Sequence, residues 1–295
     1  IPGKEPVLSR SQLVLDFSRP EVVDALFEQV CTLLDQGNIE YLKWDYNRSI
    51  IDVYSPLAKD QGTVTYDYML GLYDMLERIT MRYPTLLIEG CAGGGGRFDA
   101  GMLYYTPQIW CSDNTDAIDR LRIQYGTSFG YPCSVVGAHV SACPNHMSGR
   151  STPLSTRGCV AMAGTFGFEL DLAELPEEAR DSVRRQVETF RRYAPLVQQG
   201  RYYRLTDPTR DAMTAWELVA PDGTEALVSV VVNRVEVNRG SLYVVPRGLT
   251  PGAFYRDEEA DEVYPSSALM CMGMPLPSDI HEYQSHTYHL LRCAD

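Results

Sequence analysis

The chain has 295 residues, of which 44% are hydrophobic and 22% charged, as in an ordinary globular protein with one large core or two smaller ones. Its formal net charge of −13 argues against nucleic acid or an anionic membrane as a partner, since both bind clustered Lys and Arg. The sequence has no apolar run near the roughly 20 residues of a membrane-spanning helix. Its eight cysteines lack the spacing of a zinc site or a disulfide framework, which predicts a reducing, cytoplasmic setting.

The first part of the chain alternates between helix and strand patterns. Apolar residues at helical spacing predict a helix from Pro20 to about Gln36, capped by Ser18 and stopped by Gly37. Further segments with clear patterns are a strand over 39–45, a helix over 68–82, a strand over 85–89 that leads into a glycine-rich loop, and a strand over 108–113.

Strand and helix patterns continue to residue 198. The segments are a helix from Asp116 that Thr115 or Asp116 caps, strands over 134–140 and 165–170, and helices over 157–163 and 176–193. After Gly200, short alternating segments lie between turn signals, which predicts an antiparallel sandwich. We therefore predict a barrel-type domain over 1–198 and a β-sandwich domain over 199–295.

The number of parallel strands is lower than a closed barrel requires. A (β/α)8 barrel has eight strands, whereas this part of the sequence supplies five or six. The predicted fold class is therefore α/β: a partial TIM (β/α)8 barrel whose first strands are missing, followed by an antiparallel β-sandwich. The remaining strands are expected before Ile1.

Two predicted strands end in an aspartate, Asp45 and Asp113. Side chains alternate along a strand, so Lys43 and Asp45 share a face, and Cys111 and Asp113 share another. Two carboxylates in one pocket can cleave a glycosidic bond, about 5–5.5 Å apart in a retaining enzyme and about 6.5–9.5 Å apart in an inverting one. The charge of Lys43 favours ionised Asp45, whereas the apolar neighbours Trp110 and Cys111 favour protonated Asp113.

Other groups compete with this pair. Asp116 and Asp119 could supply the carboxylate, although Asp in a first helical turn more often stabilises the helix dipole. His139 and His146 could be ligands or bases, but a single His is more often a hydrogen-bonded structural group. The glycine loop invites phosphate binding, yet Arg97 stands near where a P-loop has its Lys, so nucleotide binding is disfavoured.

Four ordered motifs resemble the α-galactosidases of glycoside hydrolase family 36. They span residues 41–48, 91–99, 108–117 and 137–141. The resemblance implies a retaining double displacement on terminal α-linked galactose, as in raffinose or melibiose, with Asp45 as nucleophile and Asp113 as acid/base. It also implies sugar binding by other residues, namely Arg10 and Lys43 at hydroxyl groups and Cys91 and Gly94 at the 2-position.

The resemblance further implies a chemistry without metal or cofactor, and a homo-oligomer, a tetramer, in the full-length protein. The chain departs from the family pattern in lacking the N-terminal β-sandwich and the first barrel strands with their aspartate pair. Tyr46 also replaces a Met, and Cys111 and Ser112 alter the residues before Asp113. The alternatives are an α-N-acetylgalactosaminidase, an α-galactosyl transglycosylase, and an inactive fragment that binds sugar or serves in an assembly.

Overall fold

The structure is a computed structural model that describes residues 1–8, 11–235, 237–238 and 240–294. The chain divides into two compact units, Ile1–Asp113 and Asn114–Asp295. Each unit is built from parallel strand and helix repeats at its start, and the second unit continues into antiparallel sheets.

In the first unit, parallel strands form a sheet with helices on one face. The strands are β1 (Tyr41–Asp45), β2 (Leu87–Cys91) and β3 (Gln108–Trp110), and the helices are α1 (Pro20–Gln36), α2 (Val64–Arg82) and α3 (Ala100–Tyr105). Strand β2 pairs with β1 on one side and with β3 on the other. In this register Asp45 is the partner of Cys91, and Lys43 is the partner of Glu89.

The core of the first unit lies between the helices and the sheet. Buried residues recur along α1 and α2 at the spacing that the sequence predicts, and they pack against Ile88 and Ile109 of the strands. Helix α1 begins at Pro20 and ends before Gly37, as predicted. The predicted cap is wrong, because the N-cap residue is Arg19. The Ser18 hydroxyl instead donates a hydrogen bond to the Asp16 carboxylate at 2.5 Å.

The second unit starts with strand and helix repeats. Its helices are α4 (Ala117–Thr127), α5 (Leu154–Ala161) and α6 (Glu177–Gln199), and its parallel strands are β4 (Val136–Ser141) and β5 (Thr165–Glu169). Asp116 is the N-cap of α4 and accepts hydrogen bonds from the N–H groups of Ile118 and Asp119. These elements agree with the prediction to within a few residues, except that α6 runs six residues further than predicted.

Antiparallel sheets complete the second unit. A sheet in the order β11-β10-β13-β8-β7-β6 contains β6 (Arg201–Arg204), β7 (Met213–Val219), β8 (Glu225–Val232), β10 (Phe254–Asp257), β11 (Glu262–Pro265) and β13 (Ser285–Arg292). A smaller sheet pairs β9 (Tyr243–Val244) with β12 (Met274–Pro275), and helix α7 (Ser266–Met272) precedes β12. Residues of both sheets share one core, among them Val230, Val244 and Met274. The predicted fold class is confirmed.

Asp116 is an almost fully buried carboxylate whose charge is stabilised. Burial alone would raise its pKa, but hydrogen bonds from Ser148 and the Asp119 N–H, together with the charge of Arg150, hold the pKa below the usual 3.8. A depressed pKa in the folded state stabilises the fold above the usual value, and this contribution is lost as the pH falls through the lower, folded value.

Replacing Asp116 with Asn should lower the free energy of unfolding by about 1–3 kcal/mol at neutral pH, because Arg150 loses the more buried of its two carboxylate partners. The difference from the unsubstituted chain should shrink at acidic pH, as the Asp116 carboxyl takes up a proton below the usual 3.8. Urea unfolding at neutral and at acidic pH, at both pH values for both chains, measures this difference in the free energy of unfolding. The matched control is Asp181→Asn, at an exposed ion pair of α6, which should change little. An equal deficit at both pH values would contradict the assignment.

Candidate active site

The side chains of β1 alternate as predicted. Tyr41 and Lys43 both reach Glu89 of β2: the Tyr41 hydroxyl donates to Oε2 at 2.6 Å, and Lys43 Nζ lies 3.5 Å from Oε1. Trp44, between Lys43 and Asp45 in sequence, packs instead into the core under the helices. Lys43 and Asp45 therefore belong to the polar face of the sheet, at the carboxyl end of β1.

Asp45 is exposed and is held by the residues that follow it. Asn47 Nδ2 donates to Asp45 Oδ2 at 2.9 Å, while Asn47 Oδ1 accepts from the Gly93 N–H at 2.6 Å. One side chain thus ties the carboxylate to the glycine loop that follows β2. Arg97 fixes the next turn, because its guanidinium donates to the carbonyls of Tyr46 at 2.7 Å and Arg48 at 2.8 Å.

The glycine loop, defined here as residues 92–96, touches the segment that carries Asp113. Gly94 has φ +77°, and a Cβ there would lie 2.7 Å from Ser112 Cα and 2.8 Å from the Asp113 nitrogen. No side chain fits in that contact, so glycine is required for the close approach as well as for the backbone angle. The loop therefore connects the surroundings of Asp45 with those of Asp113.

Asp113 is exposed and follows β3 in an irregular segment of half-buried residues. The strand ends at Trp110, earlier than predicted, so the alternation of faces does not extend to Cys111 and Asp113 as the sequence pattern suggests. Trp110 is buried and lies on the polar side, with Lys43 Nζ 4.9 Å from its ring centroid. Trp110 lies on this side because of the register between β3 and β2. In that register Gln108 and Trp110 share the face of Glu89, while Ile109 packs under the helices.

Cys91 ends β2 as a buried thiol beside Asp45. Burial, and then the neighbouring Asp45 carboxylate, raise the pKa of this thiol to about 11. The thiol is therefore protonated at neutral pH and is a neutral polar group, which agrees with the absence of any sequence signal for a cysteine nucleophile.

The remaining predicted candidates belong to the second unit or fall outside the described residues. Arg10 falls outside the residues that the structure describes. His139 Nδ1 lies 3.5 Å from Glu169 Oε2 on the adjacent strand, and His146 is exposed in a loop. Asp116 caps α4, as the alternative interpretation of that residue predicts, and also pairs with Arg150.

A cavity of about 300 Å³ in the first unit is lined by residues of 1–16, 48–54 and 64–68, and by none of Lys43, Asp45, Cys91, Gly94 and Asp113. In the described residues, no three His, Cys, Asp or Glu side chains are grouped so as to hold a metal ion. Among the helices described, none is both long and apolar enough to cross a membrane.

Gly94→Ala should reduce kcat/KM by about 100-fold, because the added Cβ must displace the backbone that leads to Asp113. Gly93→Ala is the matched control, since Gly93 also has a positive φ, +58°, but a Cβ added there would have no other atom within 4 Å. Both variants should lose some stability because of the positive φ, Gly94→Ala more than Gly93→Ala because only its Cβ meets backbone atoms, and only Gly94→Ala should lose most of its activity. Steady-state kinetics with thermal unfolding measure both effects. Equal losses of activity would show that contact with Asp113 is unimportant.

Parallel strands that alternate with helices, with one carboxylate at the end of β1 and another after β3, form an arrangement that barrel enzymes that cleave glycosidic bonds share. The profile of the Melibiase family matches residues 1–200, and the profile of the glycosyl hydrolase family 36 C-terminal domain matches residues 213–290. The chain belongs to this family, the melibiases of glycosyl hydrolase family 36.

Individual relatives agree with this assignment. The bifunctional alpha-galactosidase/sucrose kinase AgaSK of Mediterraneibacter gnavus is 55% identical over 288 residues, 98% of this chain and 30% of that protein. The crystal structure of the alpha-galactosidase AgaA from Geobacillus stearothermophilus matches with a TM-score of 0.96 at 43% identity, over 99% of this chain and 41% of that one. A doubly substituted variant of AgaA in complex with raffinose matches with a TM-score of 0.96 at 42% identity and the same coverage. The chain thus spans about a third to two fifths of the relatives' length.

Proposed function

We propose that the protein is a retaining α-galactosidase that removes terminal α-linked galactose from oligosaccharides such as raffinose and melibiose. The observation that carries this proposal is the contact of the glycine loop with both Asn47, which holds Asp45, and the backbone of Asp113. The raffinose complex of a 42% identical relative supports the substrate class.

In the proposed reaction, Asp45 attacks the anomeric carbon while Asp113 protonates the departing glycosidic oxygen. The bond to the leaving group breaks as the galactosyl ester of Asp45 forms. Asp113, now a carboxylate, then removes a proton from water, and the water oxygen displaces Asp45 from the sugar. Two inversions at one carbon retain its configuration, and both carboxyl groups return to their starting states.

The sugar would be held by groups around this pair. Lys43 lies on the polar face of β1, two residues before Asp45, where its ammonium can donate to sugar hydroxyl groups. Cys91 and Gly94 lie beside Asp45 and Asp113 respectively, which suits contact with the 2-position. Arg10 is assigned to a hydroxyl group by the family resemblance alone.

The organisation of the protein is part of the proposal. A barrel-type domain over 1–198 and a β-sandwich domain over 199–295 are supported by the two family matches, which end at 200 and start at 213. A cytoplasmic location is supported by eight free cysteines. A tetrameric homo-oligomer follows from the resemblance, and light scattering of the purified protein tests it.

Release of nitrophenol from p-nitrophenyl α-D-galactopyranoside tests the function. The assay should compare the 295-residue chain with a chimera in which the chain replaces the matching region of AgaA. Turnover by either form, called below the active form, supports the proposal. A preference for the N-acetylgalactosaminide would favour an α-N-acetylgalactosaminidase, and galactosyl transfer to sucrose would favour a transglycosylase. Absence of turnover in both forms would overturn the proposal and favour a sugar-binding or assembly piece.

A further inference from the structure

Glu89 is a fully buried carboxylate in β2, below the candidate site. Its side chain has an exposed fraction of 0%. Oε2 accepts hydrogen bonds from the Tyr41 hydroxyl at 2.6 Å and from Gln108 Nε2 at 2.5 Å, and Oε1 lies 3.5 Å from Lys43 Nζ. A buried charge is tolerated only when it is paired, and here β1 and β3 supply partners from both sides.

These contacts fix the position of the Lys43 ammonium group, which would otherwise be mobile. A lysine ammonium sits on a flexible four-carbon stem and has many positions in water. Here the Glu89 carboxylate attracts it on one side, and the Trp110 ring lies 4.9 Å away on another. Lys43 and Asp45 are two residues apart on one strand, so this arrangement also sets where the ammonium lies relative to Asp45.

We propose that Glu89 is a positioning residue for glycoside cleavage, which holds the Lys43 ammonium where it can bind a hydroxyl group of the sugar. This inference rests on the proposed function. Glu89 itself touches no substrate, since it is buried beneath Lys43 and Tyr41. Its charge is the essential feature, because the two hydrogen bonds to Oε2 need only an oxygen acceptor, whereas the Lys43 ammonium at Oε1 needs a negative partner.

A double-mutant cycle in the active form separates this role from a structural one. Glu89→Gln keeps an oxygen for Tyr41 and Gln108 but removes the charge, and it should lower kcat/KM about 10–100-fold, mainly through KM. Lys43→Met should cause a similar loss. In the double variant the second substitution should cost less than about 3-fold, because Glu89 acts through Lys43.

Additive losses in the cycle, or Glu89→Gln activity within about 3-fold of the unsubstituted enzyme, would overturn the proposal. If Glu89→Gln does not fold, Glu89→Asp replaces it, because the shorter side chain moves the carboxylate away from the Lys43 ammonium; additive losses with Lys43→Met are then the result that overturns the proposal. Glu89→Asp keeps the charge and should retain more activity than Glu89→Gln.

The activity of the unsubstituted enzyme tests the proposed function separately. A readout that does not require turnover is the carbon-13 resonance of reductively methylated Lys43, identified by its loss in Lys43→Met. Glu89→Gln should move that resonance towards the position of the exposed lysines. An unchanged resonance would show that Glu89 does not hold the ammonium, whether or not the protein cleaves galactosides.

Discussion

Asp45→Asn should reduce turnover of p-nitrophenyl α-D-galactopyranoside by more than about 10⁴-fold in the active form, because the amide cannot form the galactosyl ester. The change should preserve the fold, since Asp45 is exposed and Asn can still accept the hydrogen bond from Asn47. Asp74→Asn, at an exposed carboxylate of α2, is the control and should stay within about 2-fold of the unsubstituted enzyme.

The variant Asp45→Gly, with no side chain at this position, tests the nucleophile assignment through the configuration of its product. Azide should occupy the space that the carboxylate leaves, attack the anomeric carbon from that side and release β-galactosyl azide, while Asp113 protonates the leaving oxygen. Mass spectrometry and proton coupling constants identify the product. Rates near normal in Asp45→Asn, or an azide of retained configuration, would refute the nucleophile assignment.

Asp113→Ala should separate substrates by their leaving groups. Raffinose needs a proton on its departing sugar oxygen, so kcat/KM for raffinose should fall about 10²–10⁴-fold. Nitrophenolate departs without a proton, so kcat/KM for the aryl galactoside should fall much less. Azide should also accelerate the second step with the aryl substrate, because an anion needs no base to attack the galactosyl ester.

Asp116→Ala is a useful comparison for Asp113→Ala, since Asp116 competes with Asp113 in the sequence. Its carboxylate caps a helix and pairs with Arg150, so its loss should lower stability and affect the two substrates equally. Equal loss for raffinose and the aryl galactoside in Asp113→Ala would mean that Asp113 is not the acid.

Local signals predicted most of the fold. Pro20 and Gly37 mark the ends of α1 because one residue lacks an N–H and the other ends a helix readily. The spacing of apolar residues, helical in α2 and alternating in β1, likewise predicted these two elements from neighbouring residues alone. The short helices α3 and α7 were missed, since six or seven residues hold too few periods to give a pattern.

The candidate site was predicted less completely, because its contacts join residues far apart in sequence. Asp45, Lys43 and Cys91 were recognised within motifs, but nothing local shows that Asn47 bonds to Gly93 or that Tyr41 and Gln108 bond to Glu89. A charged residue in a buried strand, such as Glu89, was the one available signal. The early end of β3 also depends on its pairing with β2, which no alternation within 108–113 reveals.

The glycine loop has a consequence for how specificity can change in this family member. The surface between Asn47 and Asp113 is made of peptide groups, because residues 92–96 carry no side chain larger than a methyl group. Substitution at residues 94–96 cannot add a new recognition group without moving the backbone, because a Cβ at each of these glycines would lie 2.5–2.7 Å from a backbone atom. Directed evolution for altered sugars should therefore succeed through variation at Cys91, which borders the loop, while libraries at 94–96 should return inactive or unchanged enzymes.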